Sequence, residues 1–322
     1  MYKKVLVLLF ALLLTASCAH HRVQNDGISI VCTGFPSYDF ARYIVGDLAE
    51  VSLLIPPGSD SHSFDPKPAD IIAVENADLF IYGGGESDEW ARDILESAAP
   101  GKIVAMLDAV ETVPEEYKEG MEGEHEHEHE HEHEHSHDEE HHHEPDEHVW
   151  TSPVNAIRIC EDIAEALCEL DSENEVQYRS LLSKYTQRLA QLDEEIRRVV
   201  SYSSGKTLIF GDRFPFRYLA EEYGLDYYAA FPGCAELTEP AAKTVAFLID
   251  KVRAEDIPVV FYVEISNRKI CNTIAEETGA KPMLLHSAHN LTKAEFESGV
   301  GYVELMENNI EALREALGSG AD

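Results

Sequence analysis

The densest chemistry in this chain lies between residues 122 and 150. From Glu124 onward acid and imidazole alternate, placing His125, His127, His129, His131, His133, His135 and His137 at every second position, with His141, His142 and His143 following. The stretch closes on Asp146-Glu147-His148-Val149-Trp150-Thr151-Ser152-Pro153. Neutral imidazole is a ligand for zinc and other late first-row ions. In a flexible run each ring offers one nitrogen, and ordering the chain costs entropy at every residue. Several weak, exchangeable sites acting through local concentration are therefore expected; the plainer reading is a solvated linker. Neighbouring glutamates favour the charged imidazole, so this collection should weaken as pH falls towards and below about 6.5.

A second group of donors is spread along the chain. His62 lies in a loop after Pro56-Pro57-Gly58, Asp212 follows Gly211, Glu264 follows Tyr262-Val263, and His286 follows Leu284-Leu285. Ligands in open parallel sheets bind beyond the carboxyl ends of the strands. These positions, with His148, fall where strands are predicted to end. Two imidazoles from one half of the chain, with a carboxylate and an imidazole from the other, would then converge on a cation, a set that suits zinc better than manganese. Each residue has a plainer reading. Asp212 also reads as a helix cap, Glu264 as an acceptor that orients a ligating imidazole, and His286 and His289 as ordinary loop histidines.

The elements that must position these residues follow from periodicity. Predicted strands are 28–33, 51–55, 78–82 and 102–107, then 207–211, 226–231, 258–263 and 282–286. Helices alternate with them, including one over 293–317. This implies an α/β fold with two lobes, each a four-stranded parallel sheet flanked by helices. Between the lobes Leu182, Tyr185, Leu189, Leu192, Ile196 and Val199 repeat every three or four residues. They predict one long rigid helix of about 28 residues, or about 42 Å. The expected divisions are 1–26 (signal and tether), 27–170 (N-terminal lobe, with a disordered His/Glu-rich loop at 115–147), 171–204 (linker helix) and 205–322 (C-terminal lobe).

Composition narrows the partners. The 322 residues carry 25 basic and 61 acidic side chains, a net charge of −36. Phosphate neutralisation needs a Lys/Arg surface, so nucleic acid is excluded and a cation is the natural ligand. Five cysteines besides Cys18 are widely spaced without a C-x-x-C pair, which is neither a disulfide framework nor a thiolate zinc site. Cys32, Cys160 and Cys168 lie in apolar patterns and read as small core residues, whereas Cys234 does not read so simply. Lys3 and Lys4, the apolar run 5–14 and Thr15-Ala16-Ser17-Cys18 resemble a bacterial lipoprotein signal. That resemblance implies export and lipid anchoring through Cys18.

Longer motifs carry a resemblance over the whole mature chain. Pro57-Gly58, His62 and Phe64-Asp65-Pro66-Lys67-Pro68-Ala69-Asp70, then 77–85 with Trp90, then Asp146 to Pro153, resemble the zinc/manganese-type metal-binding solute-receptor lipoproteins of bacterial ABC transporters (cluster A-I). The His-rich insertion is similar to that of zinc-type members. The resemblance implies a monomeric, extracytoplasmic receptor that captures Zn²⁺ between two lobes and delivers it to an ABC permease. It implies His62 and His148 as ligands. Its third ligand position falls on Arg213, which cannot bind a cation, so Asp212 or Cys234 substitutes; its fourth falls on His286. Alternatives are a manganese- or iron-type receptor, a metal buffer or adhesin without a permease, and a zinc hydrolase with Glu264 as base.

Overall fold

The computed structural model describes residues 27–59, 63–122, 145–235 and 239–319. Two parallel sheets organise it. The first contains β1 (Ser29–Cys32), β2 (Glu50–Leu53), β3 (Leu79–Tyr82) and β4 (Lys102–Ala105) in the order β2-β1-β3-β4. The second contains β5 (Thr207–Phe214), β6 (Asp226–Pro232), β7 (Val259–Tyr262) and β8 (Lys281–Leu284) in the order β6-β5-β7-β8. In each, the chain reverses its winding direction beside the first strand, which opens a crevice at the strands' carboxyl ends.

Helices α1 (Phe35–Val45), α2 (Pro68–Glu75), α3 (Glu89–Leu95) and α4 (Pro153–Leu170) accompany the first sheet. Ser152 caps α4 by accepting from Asn155 N, and Pro153 supplies the preset first turn. Helix α5 (Glu175–Ser201) has 27 residues, about 40 Å of rise. It buries Tyr178, Tyr185, Leu189, Leu192, Ile196 and Val199 on one stripe. Full burial of each such side chain is worth about 1.5–3 kcal/mol, so this helix cannot leave the body cheaply. One apolar core runs through it, joining Phe40 and Ile44 of the first lobe to Phe210 and Leu313 of the second.

The second sheet is flanked by α6 (Arg217–Tyr223), α7 (Ala242–Glu255), α8 (Lys269–Thr278), α9 (Lys293–Ser298) and α10 (Tyr302–Ala316). The single helix expected over 293–317 is two, because Gly299 takes a left-handed φ of 77° and ends α9. Strand β5 runs past its expected end at residue 211, through an irregularity between Phe210 and Arg213, to Phe214. Gly211 permits this: a Cβ there would lie 2.5 Å from Cys271 Cα in α8.

Two further ties join the lobes. Buried Asp39 of α1 accepts from Tyr185 Oη at 3.1 Å and from Tyr302 N at 2.9 Å. The segment leaving the first lobe forms a strap on the second. Glu116 accepts from Tyr227 Oη at 3.0 Å, and Glu122 accepts from Ala241 N and Thr244 Oγ1 at 2.6 Å each. Residues 115–122 and 145–147, expected inside the disordered loop, thus make specific contacts. The remaining loop histidines, from His125 to His143, and the signal with Cys18 lie outside the described residues.

Candidate metal centre between the lobes

His148 ends the segment that returns from the loop and precedes a short 3₁₀ turn, Val149–Thr151. It is fully buried. Asp146 Oδ1 accepts its backbone N–H at 2.8 Å and lies 3.1 Å from its Nδ1. Asp146 is itself fixed, since its N–H donates to Val113 O at 2.9 Å and its carbonyl accepts from Tyr218 Oη at 2.7 Å. A carboxylate on Nδ1 favours the proton on that nitrogen and leaves Nε2 as the ring atom that could bind a metal. Burial works against charge on the ring, yet Asp146, with Glu147 and Glu115 beyond it, outweighs burial and holds its pKa above the ordinary 6.5.

The partner across the cleft is His289. Its ring centre is 5.1 Å from that of His148 at 84°, and 5.2 Å from that of Trp150. Two imidazoles on one tetrahedral zinc at ~2.0–2.1 Å have centres about 5 Å apart. The backbone explains this placement. Ala288 adopts a φ of +58°, a left-handed turn in a non-glycine residue. Glu264 clamps the turn: Oε2 accepts from Ser287 N at 2.8 Å, and Oε1 from Ser287 Oγ at 2.5 Å and His289 N at 3.1 Å. Trp150 Nε1 donates to Ser287 O at 2.9 Å, so the same loop is tied to the wall that carries His148.

His148, His289, Asp212, Arg213 and Glu264 line one cavity of about 240 Å³. Asp212 lies within β5 rather than after it. Its Oδ1 accepts from Arg213 N at 2.9 Å and its Oδ2 from Val263 N at 3.3 Å. Burial raises its pKa, and the bonds from Ser266, Arg213 and Val263 partly offset that. Next to Glu264, Ile265 holds a φ of +61°, which costs a β-branched residue of order 1–3 kcal/mol. That strain lies on the cavity wall.

His286 does not reach this cavity. Its Nδ1 accepts from Ala288 N at 3.0 Å, and its Nε2 faces Glu295 Oε1 at 3.7 Å. It lines a separate pocket with Glu295 and Asn309. A ring whose Nδ1 accepts carries its neutral-state proton on Nε2, the wrong tautomer for a metal there. Glu264 is turned onto the 287–289 turn, where it accepts from Ser287 and from the backbone N–H of His289 rather than from an imidazole ring. Cys234 lies just past β6; its N–H donates to Glu115 Oε1 at 3.0 Å. Burial, then Glu147, Asp146 and Glu115, push its thiol pKa up.

His62 lies outside the described residues. The start of its loop is nonetheless pinned beside His289. Gly58 N donates to Leu291 O at 2.7 Å, and Asn290 Nδ2 donates to Pro56 O at 3.2 Å and Ser59 O at 2.6 Å. Among the described residues no three His, Cys, Asp or Glu side chains already converge as a metal-binding group. No helix among them is long and apolar enough to cross a membrane.

Two parallel-sheet lobes on one rigid helix, with paired imidazoles in the crevice between them, define a metal-capturing solute receptor. Residues 30–316 match the family model for the periplasmic component A of the zinc-uptake complex. The chain is 33% identical to the high-affinity zinc uptake system protein ZnuA of Bacillus subtilis, covering 98% of this chain and 99% of that one. It is 29% identical to the zinc-binding lipoprotein AdcA of Streptococcus pneumoniae over 97% of its own length but spans only 61% of that relative. The Zn(II)-bound ZnuA-like domain of the pneumococcal AdcA superposes with a TM-score of 0.73 at 26% identity, covering 90% of this chain and 99% of that domain. The chain belongs to the zinc-uptake component A family. It is a zinc receptor and not an enzyme, so the hydrolase reading is set aside.

Proposed function

We propose that this protein binds one Zn²⁺ between the lobes through His148 and His289, with His62 as the third imidazole, and presents it to an ABC permease. The observation that carries the ligand assignment is the pair of facing rings 5.1 Å apart, one of them held in its metal-binding tautomer by Asp146. Asp212 stands on the facing wall with its oxygens tied to backbone N–H groups, and contributes negative charge to the site rather than a bond to the ion. The alternating His/Glu run collects zinc for this site, and the residues that flank it, Glu122 and Pro145, are anchored on the described body. Cys18 anchors the receptor to the membrane, and it acts as a monomer on the extracytoplasmic side. The proposed lobe boundaries are 27–170 and 205–322, joined by 171–204. The long helix, the Asp39 tie and the strap restrict opening, so capture proceeds by local loop movement rather than a wide hinge.

The test is zinc accumulation by the native host in zinc-depleted medium. Deleting the receptor should lower accumulation, and the wild-type chain should restore it while His148→Ala/His289→Ala does not. Restoration by the double variant would refute the ligand assignment.

A further inference from the structure

His286 and His289 stand on one turn, and their rings go different ways. His289 faces His148 across the cleft, whereas His286 is turned inward and is only 2% exposed. Asn309 of α10 holds the His286 backbone on both sides: its Oδ1 accepts from His286 N and its Nδ2 donates to His286 O, each at 2.8 Å. The His286 ring is oriented as well. Nδ1 accepts from Ala288 N at 3.0 Å, and Nε2 points towards Glu295 Oε1 at 3.7 Å. Glu295 is itself fixed at the start of α9, where its Oε2 accepts from Thr292 N at 2.8 Å and Thr292 Oγ1 at 2.6 Å.

Carboxylates thus stand at opposite nitrogens of His148 and His286. Asp146 at Nδ1 of His148 favours a free Nε2. Glu295 on the Nε2 side of His286 favours a free Nδ1, which can accept. That acceptor is used on the amide of Ala288, the residue with the left-handed φ of +58°. A left-handed alanine is unfavourable on its own and persists only where its surroundings hold it. Glu264 takes the amides on either side, Ser287 N and His289 N. The three successive amides of the turn are therefore each bonded to a side chain, the outer two by Glu264 and the middle one by His286.

We infer that His286 is a positioning residue for zinc capture: its Nδ1 fixes the left-handed turn at Ala288 and, through that turn, the placement of the His289 ring. This rests on the reading of His289 as a zinc ligand and adds what holds that ligand in place.

Chelator competition for zinc on the demetallated full chain tests this, at mildly alkaline pH so that the ring between Glu264 and Glu295 is neutral. His286→Asn keeps an acceptor for the amide two residues on, as asparagine does in turns, but fills less of the space. His286→Gln fills more of it, yet its longer side chain carries the amide past Ala288 N towards Glu295. A role in packing alone favours Gln; the positioning role favours Asn. Affinity within about three-fold of wild type is expected for His286→Asn and a loss of about ten-fold for His286→Gln, with circular dichroism checking both folds. Glycine takes a left-handed φ freely, so in an Ala288→Gly background His286→Gln should cost no more than about two-fold. In the wild-type chain the Ala288 amide should be protected from exchange. Equal affinities of the Asn and Gln variants, a tighter Gln variant, an undiminished loss in the Ala288→Gly background, or an unprotected Ala288 amide would each overturn the inference. Wild-type affinity in His289→Ala would overturn the ligand reading itself; lowered affinity there with Asn and Gln alike at position 286 would overturn this inference alone.

Discussion

One carboxylate oxygen of Asp146 meets His148 twice, at the backbone N–H 2.8 Å away and at ring Nδ1 3.1 Å away. The imidazole is thereby fixed in orientation and tautomer before any ion arrives. Such preorganisation shifts cost from binding to folding.

Asp146→Asn should keep the fold, because the backbone bonds to Val113 and Tyr218 remain. It should weaken zinc binding by about 10–100-fold. Chelator competition on the demetallated protein measures this, and an affinity within about two-fold of wild type would remove Asp146 from the account.

Glu264→Gln tests the clamp on the Ser287–His289 turn. The amide cannot accept on both sides as the carboxylate does. The left-handed Ala288 turn should loosen and His289 should lose its placement. Zinc affinity should fall roughly ten-fold, with backbone amide exchange at 287–289 accelerating. Unchanged exchange there would show that the turn holds without Glu264.

The sequence made much of this legible. The three-and-four spacing from Leu182 to Val199 identified the long helix, and alternating strands and helices identified both sheets. His148 was singled out by the likeness of the stretch from Asp146 to Pro153 to a metal-receptor motif, and it does line the crevice. The choice between His286 and His289 was not legible. They are three residues apart, and the left-handed φ at Ala288 decides which ring faces the cleft, a conformation that alanine does not announce. Gly211 did carry a signal, since glycine inside a strand marks irregularity or close approach. It allowed β5 to continue through Asp212 and Arg213, which were expected beyond the strand. The strap of residues 115–122 was hidden by low apolar content, because its contacts to Cys234, Tyr227 and Thr244 are polar and distant in sequence.

Gly211→Ala should be destabilising. Its Cβ would sit 2.5 Å from Cys271 Cα and 2.6 Å from Cys271 N, both backbone atoms that cannot swing away. Overpacking of this kind costs about 1–3 kcal/mol. Denaturant titration should show the loss, and zinc affinity should fall with it because β5 carries Asp212 and Arg213. A variant as stable as wild type would show that β5 and α8 separate easily.

Asp88 gives a pH dependence. It is buried, accepts from Thr33 Oγ1 at 3.0 Å and Gly83 N at 2.5 Å, and burial raises its pKa to about 6 despite those bonds. The folded value lies above the ordinary 3.8, so its contribution to stability is fully present below pH 3.8 and is lost as pH rises through about 6. A gap of about two pH units corresponds to about 3 kcal/mol at most. Asp88→Asn should remove that slope, so the variant gains on wild type between pH 4 and roughly 6.5. Parallel urea curves with a constant difference over that range would contradict it.

The central claim is that the interlobe imidazole pair, and not the His/Glu run, is the tight zinc site. Calorimetric zinc titration in competition with a chelator, on demetallated protein lacking residues 123–144, measures it directly. The account predicts one tight zinc per chain, weakened by more than about 100-fold in His148→Ala/His289→Ala. The same tight equivalent in the double variant, or none in the loop-deleted chain, would contradict it.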